Sequence, residues 1–93
     1  MAQAIVTLKI MPKSPDVDLT AVQADAVTEI DAFVGKESEK RFEIEPIAFG
    51  LKALKITFVM DEEKGSTEPL EEKIAALDGV NSVDVIDVRR AVG

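Results

Sequence analysis

Six stretches of this chain repeat an apolar residue with a fixed period, and the order of those periods leaves few folds open. Residues 4–11 alternate, with Val6, Leu8 and Ile10 on one face and Thr7 and Lys9 on the other, the pattern of a half-buried strand. Pro12 and Pro15 close it, because neither donates to a sheet ladder. Leu19, Val22, Ala26, Ile30 and Phe33 then recur at spacings of three and four. That stripe predicts a helix over about 19–33, capped by Asp16 or Asp18 and ended by Gly35. A second strand over about 40–45 turns Phe42 and Ile44 one way and Arg41 and Glu43 the other. A third over about 51–60 places Leu54, Ile56, Phe58 and Met60 together, with Lys55 and Thr57 facing away. After a polar loop at 61–65, Ser66 or Thr67 is the N-cap of a second helix. Pro69 is tolerated in its first turn, Leu70, Ile74 and Leu77 line it, and Gly79 ends it. The last strand, about 81–89, carries Val83 and Val85 on one face and Ile86 and Val88 on the other.

The order is β-α-β-β-α-β. Two helices with one apolar stripe each must cover one face of a single sheet. With right-handed crossovers this predicts an α+β, ferredoxin-like sandwich: a four-stranded antiparallel sheet with both helices on one face. A length of 93 residues leaves room for one core, so residues 1–93 read as a single domain.

The composition excludes most chemistry. Without cysteine or histidine there is no disulfide framework, no thiolate nucleophile or metal site, and no imidazole base. A net charge of −7 argues against a surface that tracks phosphates, so no direct nucleic-acid contact is expected. Over residues 61–78 seven acids face only Lys64 and Lys73, which reads either as a solvated face or as steering toward a basic partner. The cluster Gly35-Lys36-Glu37-Ser38 lacks the upstream glycine and the following Ser/Thr of a phosphate loop and follows a helix instead of a strand. Glu43 and Glu45 alternate on one strand with no base beside them, and Asp61, Glu62 and Glu63 lack the spacing of a Ca²⁺ loop. No cofactor and no metal site is expected. Base stacking on the open sheet face needs aromatics there; Tyr and Trp are absent, and Phe33, Phe42 and Phe58 fall on core faces. No apolar run approaches 18 residues, so a cytoplasmic protein without membrane contact is the default.

Two features remain. In Glu45-Pro46-Ile47-Ala48-Phe49-Gly50-Leu51-Lys52 an aromatic sits in a hairpin connection whose backbone has no use for one. Either Phe49 packs into the domain's own core or it projects to fill a pocket on a partner. The second feature is the tail Asp87-Val88-Arg89-Arg90, two adjacent arginines at the end of an acidic chain. In the split βαβ topology the second and fourth strands run in opposite directions. Phe49 and Arg90 should therefore lie at opposite ends of the sheet, roughly 30 Å apart.

These residues carry a resemblance. The opening strand Ile5-Val6-Thr7-Leu8-Lys9-Ile10, the helix start Ser14-Pro15-Asp16-Val17-Asp18-Leu19, the loop Pro46-Ile47-Ala48-Phe49-Gly50-Leu51 and the close Val80-Asn81-Ser82-Val83-Asp84-Val85 into Asp87-Val88-Arg89-Arg90 occur in order over nearly the whole chain. Together they resemble the guanine-nucleotide exchange domain family of elongation factor 1-beta, in its archaeal form. Eukaryotic members carry a further N-terminal domain and an acidic linker, whereas this chain begins at the first strand. The resemblance implies a non-enzymatic exchange factor that binds the GTPase elongation factor 1-alpha in its GDP-bound and nucleotide-free states and promotes GDP release. The family's two main contact positions, the aromatic of the Pro-x-x-Phe-Gly loop and a basic residue that reaches toward the partner's Mg²⁺ site, correspond to Phe49 and Arg90, with Arg89 beside the latter. Where eukaryotic members have Lys, Arg90 presents a planar fork in place of a compact ammonium. The same scaffold also hosts small-molecule-binding regulatory domains. Those favour a Gly-rich strand–helix turn, where this chain has Lys13-Ser14-Pro15-Asp16. A structural ribosome-associated role is disfavoured by the acidity.

Overall fold

In the computed structural model, which describes residues 3–36 and 38–91, Glu37 of the 35–38 cluster lies outside the described residues. Strand β1 (Gln3–Pro12) buries Val6, Leu8 and Ile10 on one face, as its alternation demands. Helix α1 (Leu19–Val34) begins at Asp18, whose side chain accepts a hydrogen bond from the Thr20 amide at 3.0 Å; Asp18, not Asp16, is the cap. The helix buries Val22, Ala26 and Ile30, with Leu19 and Phe33 packed at the margins. Strands β2 (Lys40–Pro46) and β3 (Lys52–Asp61) form a hairpin, and a single 3-10 turn, Glu62–Lys64, follows.

Helix α2 (Glu68–Ala75) buries Leu70 and Ile74. Thr67 holds its N-cap position, yet its hydroxyl donates to the Glu71 carboxylate at 2.6 Å, while Ser66 Oγ accepts from the Glu68 amide at 3.1 Å. The two candidate caps thus share the work. The helix stops at Ala75, four residues short of Gly79, so Gly79 does not end it as the spacing suggested. Gly79 instead closes the turn into strand β4 (Val80–Ala91) at φ 85°, where an added Cβ would lie 2.9 Å from Val17 Cγ1.

The four strands form one antiparallel sheet in the order β2-β3-β1-β4. Both helices cover the same face, and the core gathers between them and the central strands: Val6, Leu8, Ile10, Leu54, Ile56, Phe58 and Met60 against Val22, Ala26, Ile30, Leu70 and Ile74. This is the α+β, ferredoxin-like arrangement that the periodicity predicted.

Two expectations about the core fail, both at sheet edges. Phe42 and Ile44 lie opposite Ile56 and Leu54, so they do face the helices. The strand β2 is outermost, however, and they stay 41% and 45% exposed. On β4, the pairing slips between Thr7 and Leu8, which lie opposite Asp87 and Val85 and leave Ile86 as an extra residue. This β-bulge reverses the alternation. Val83, Val85 and Val88 consequently share the helix-side face, and Val88 does not join Ile86 on the other. Nor is Val88 a core residue, because it is 61% exposed.

The edge strand is clipped to α1 by Lys40. Its ammonium lies 2.6 Å from Asp31 Oδ1, off the line of a hydrogen bond, and donates to the Ser38 carbonyl at 2.8 Å. Arg41 and Glu43 point outward from the same strand, and charges of this kind deter edge-to-edge pairing.

The two phenylalanines that face the helices should therefore differ sharply. Phe58→Ala empties a fully buried site and is expected to cost about 3–5 kcal/mol, whereas Phe42→Ala should cost about 1–2 kcal/mol, since only part of its ring is in contact and no closed cavity is left. Denaturant unfolding of both variants checks this, and equal losses would mean that the edge strand is covered.

Candidate partner-binding sites

The hairpin between β2 and β3 is closed by a tight turn. The Leu51 amide donates to the Ala48 carbonyl at 2.8 Å, and the Ile47 amide donates to the Leu51 carbonyl at 2.9 Å. The central residues, Phe49 and Gly50, both have positive φ, 53° and 79°, the signature of a type I′ turn, whose twist matches that of the flanking strands. Such turns favour Asn-Gly, because a side chain at the first position crowds the following carbonyl at a cost of roughly 1–2 kcal/mol. Here that position holds a phenylalanine with 96% of its surface exposed, the one non-glycine at positive φ among the described residues. It packs against nothing in its own domain. Local stability therefore gives no reason for this residue at this place, which makes Phe49 a candidate contact residue.

Arg90 lies near the far end of β4, opposite Ala4 on the helix side of the sheet, and Arg89 lies opposite Ile5 on the open side. The bulge at Ile86 decides which arginine faces which way. Arg90 donates from Nε to Glu62 Oε1 at 2.9 Å and from Nη2 to Glu62 Oε2 at 3.3 Å. That fork raises the guanidinium pKa above its ordinary value, chiefly through the hydrogen bond and then through the carboxylate's charge. Among the described residues Arg89 pairs with Asp87 alone, two residues back on its own strand, at 2.9 Å, and both arginines are largely exposed. Next to Arg90 a cleft of about 350 Å³ opens over Ala4, Val6, Met60 and Val88.

The two contact candidates are far apart. The Phe49 turn follows the Pro46–Lys52 pair and sits near Pro15, beyond the end of β1, while Arg90 pairs across the start of β1. Ten residues of β3 run between the two ends, a rise of about 30 Å. Phe49 and Arg90 thus occupy opposite ends of the sheet.

The open face between them carries Lys9, Lys55, Thr7, Thr57, Arg41 and Glu43, and no aromatic among the described residues. Thr7 and Thr57 hydroxyls meet at 3.0 Å, and Lys55 pairs with Glu45 at 3.1 Å. The hydrogen bond and charge of Lys55 hold the Glu45 carboxyl below its usual range, and Glu45 in turn raises Lys55. These are half-buried pairs that order a surface without making a reactive group. Among the described residues no group of acids is placed to hold a metal ion, and no helix is long and apolar enough to cross a membrane. The sequence raised Glu62 only within the acidic run 61–63, not as a partner of Arg90. It lies 28 residues from Arg90, and only the return of β4 beside β1 brings the two together.

A designed protein, Foldit4, shares the fold alone, with a TM-score of 0.64 at 18% identity over 98% of each chain. Elongation factor 1-beta of Methanosphaera stadtmanae is 49% identical over 97% of this chain and 98% of that protein. Those of Methanobrevibacter smithii and Methanothermobacter thermautotrophicus are 47% and 43% identical over similar spans. Residues 5–91 match the family described as the EF-1 guanine nucleotide exchange domain. With that match over nearly its whole length, its split βαβ sheet and relatives of this identity, the chain belongs to the EF-1 guanine nucleotide exchange domain family.

Proposed function

We propose that residues 1–93 act as one exchange unit in the cytoplasm, promoting GDP release and GTP loading on elongation factor 1-alpha, the GTPase that delivers aminoacyl-tRNA. Family membership supports the activity class, and the observation that carries the mechanism is Phe49, fully exposed in a left-handed conformation. In this reading the aromatic ring fills a pocket on the GTPase and Arg90, about 30 Å away, approaches the bound Mg²⁺ on another part of it. A cation brought near Mg²⁺ repels it, and loss of the metal weakens the hold on the β-phosphate. Arg89 is a secondary contact on the open side. The factor makes and breaks no covalent bond: it binds both GDP-bound and nucleotide-free GTPase, and by linkage whatever it does to nucleotide affinity nucleotide does to its own. The acidic charge and the open face without aromatics favour a protein partner over nucleic acid.

Release of a fluorescent GDP analogue from elongation factor 1-alpha, with and without this protein, tests the activity. Failure to accelerate release would falsify it. For the aromatic contact, Phe49→Asn should leave the melting temperature unchanged or raise it, since Asn suits positive φ. The same change should weaken binding by about 1.5–3 kcal/mol. A large fall in melting temperature, or unchanged affinity, counts against the contact. For the basic end, Arg90→Ala should leave the fold nearly intact, because exposed ion pairs contribute about 0–1 kcal/mol. It should slow catalysed GDP release more than it weakens binding to the nucleotide-free GTPase. Arg89→Ala should have the smaller effect, and the reverse ranking would move the assignment by one residue.

A further inference from the structure

The Glu62–Arg90 fork has a geometry that a solvated charge pair does not need. Glu62 opens the 3-10 turn after β3, and that turn is braced by Asp61, whose side chain accepts from the Glu63 amide at 3.0 Å. The carboxylate thus projects from a short capped turn, not from a loose loop. It engages Arg90 side-on, using both of its oxygens and only Nε and Nη2 of the guanidinium. No bond to Nη1 occurs among the described residues, so the outer edge of the fork keeps its donors. An arginine has long, freely rotating torsions, and a partner that must freeze them loses affinity. Here the two bonds to Glu62 favour one rotamer before any partner arrives. The contrast with Arg89 is direct: its one contact, Asp87, lies on the same strand and moves with it.

Resting on the exchange reading above, we propose that Glu62 is a positioning residue for exchange: it presents the Arg90 guanidinium already oriented, with its Nη1 edge outward, toward the nucleotide site of the GTPase. The bulge at Ile86 is part of the device, since without the extra residue the alternation would turn Arg89, not Arg90, toward Glu62. Immobilising one such side chain in advance corresponds to about a two- to ten-fold change in rate.

The test is a double-mutant cycle on the full chain, measuring accelerated GDP release from elongation factor 1-alpha with wild type, Glu62→Gln, Arg90→Ala and the double variant. Glu62→Gln should slow release by about two- to ten-fold at unchanged melting temperature, and the loss should vanish when Arg90 is already alanine. In the free protein, the Arg90 Nε–H resonance should be sharp and slowly exchanging in wild type and lose that protection in Glu62→Gln, a readout that needs no partner. Faster release by Glu62→Gln would make the pair a brake and overturn the proposal. The same slowing with and without Arg90, or an unprotected Nε–H in wild type, overturns it equally. If wild type itself does not accelerate release, the exchange reading falls and this inference with it; if wild type does and the cycle is additive, only this inference falls.

Discussion

The burial of Leu8, Ile10, Leu54, Ile56 and Phe58 beneath two helices is the contact on which the other features depend. Helix α1, of 16 residues, packs over β3, and the 8-residue α2 packs over β4. Between them they bury the central strands and the start of β4, and β2 and the far end of β4 are left with apolar residues in partial contact with water. Phe42 and Ile44 on one edge and Val88 on the other are the result. A small domain has little core to spare, so it concentrates stability centrally and leaves its edges and ends free to serve contact.

Local rules are broken at the hairpin tip and midway along β4. A type I′ turn built on Asn-Gly would be more comfortable than one built on Phe49-Gly50, and a strand without a bulge would keep its hydrogen-bond ladder regular. The turn carries Phe49 itself, and the bulge, opposite the Thr7–Leu8 step midway along β1, sets the facing of Arg90; these are the two residues proposed for partner contact. That placement follows a general expectation: sequence-to-structure consistency is relaxed where function requires a particular side chain at a particular point. The central sheet makes this affordable, because a strained turn at the tip of a long hairpin transmits little distortion to strands paired over eight registered positions between β1 and β3.

Charge is arranged with similar economy. The open face pairs Lys55 with Glu45 and holds Thr7 against Thr57, while Lys40 ties the edge strand to α1. None of these pairs gives a reactive group. A sheet that separates the two proposed contact points by about 30 Å suits a protein that changes a partner's affinity for a nucleotide, where geometry and field, not bond chemistry, set the outcome.

Period-two and period-3.6 patterns, caps and breakers were enough to order the elements and assign the fold, because those patterns report on burial against a single sheet face. The exchange family and the exposure of Phe49 were also legible, the latter because a turn has no local use for an aromatic. Three things were decided only by tertiary structure. Whether Phe42 is covered depends on which strand is outermost, and an alternating pattern looks the same at the centre and at the edge. Which face Val88 and Arg90 occupy depends on a one-residue slip in pairing with β1, which the β4 sequence does not mark. The union of Glu62 with Arg90 joins residues 28 positions apart, and nothing local to either predicts it: only chain return, set by the whole sheet, brings the carboxylate to the guanidinium.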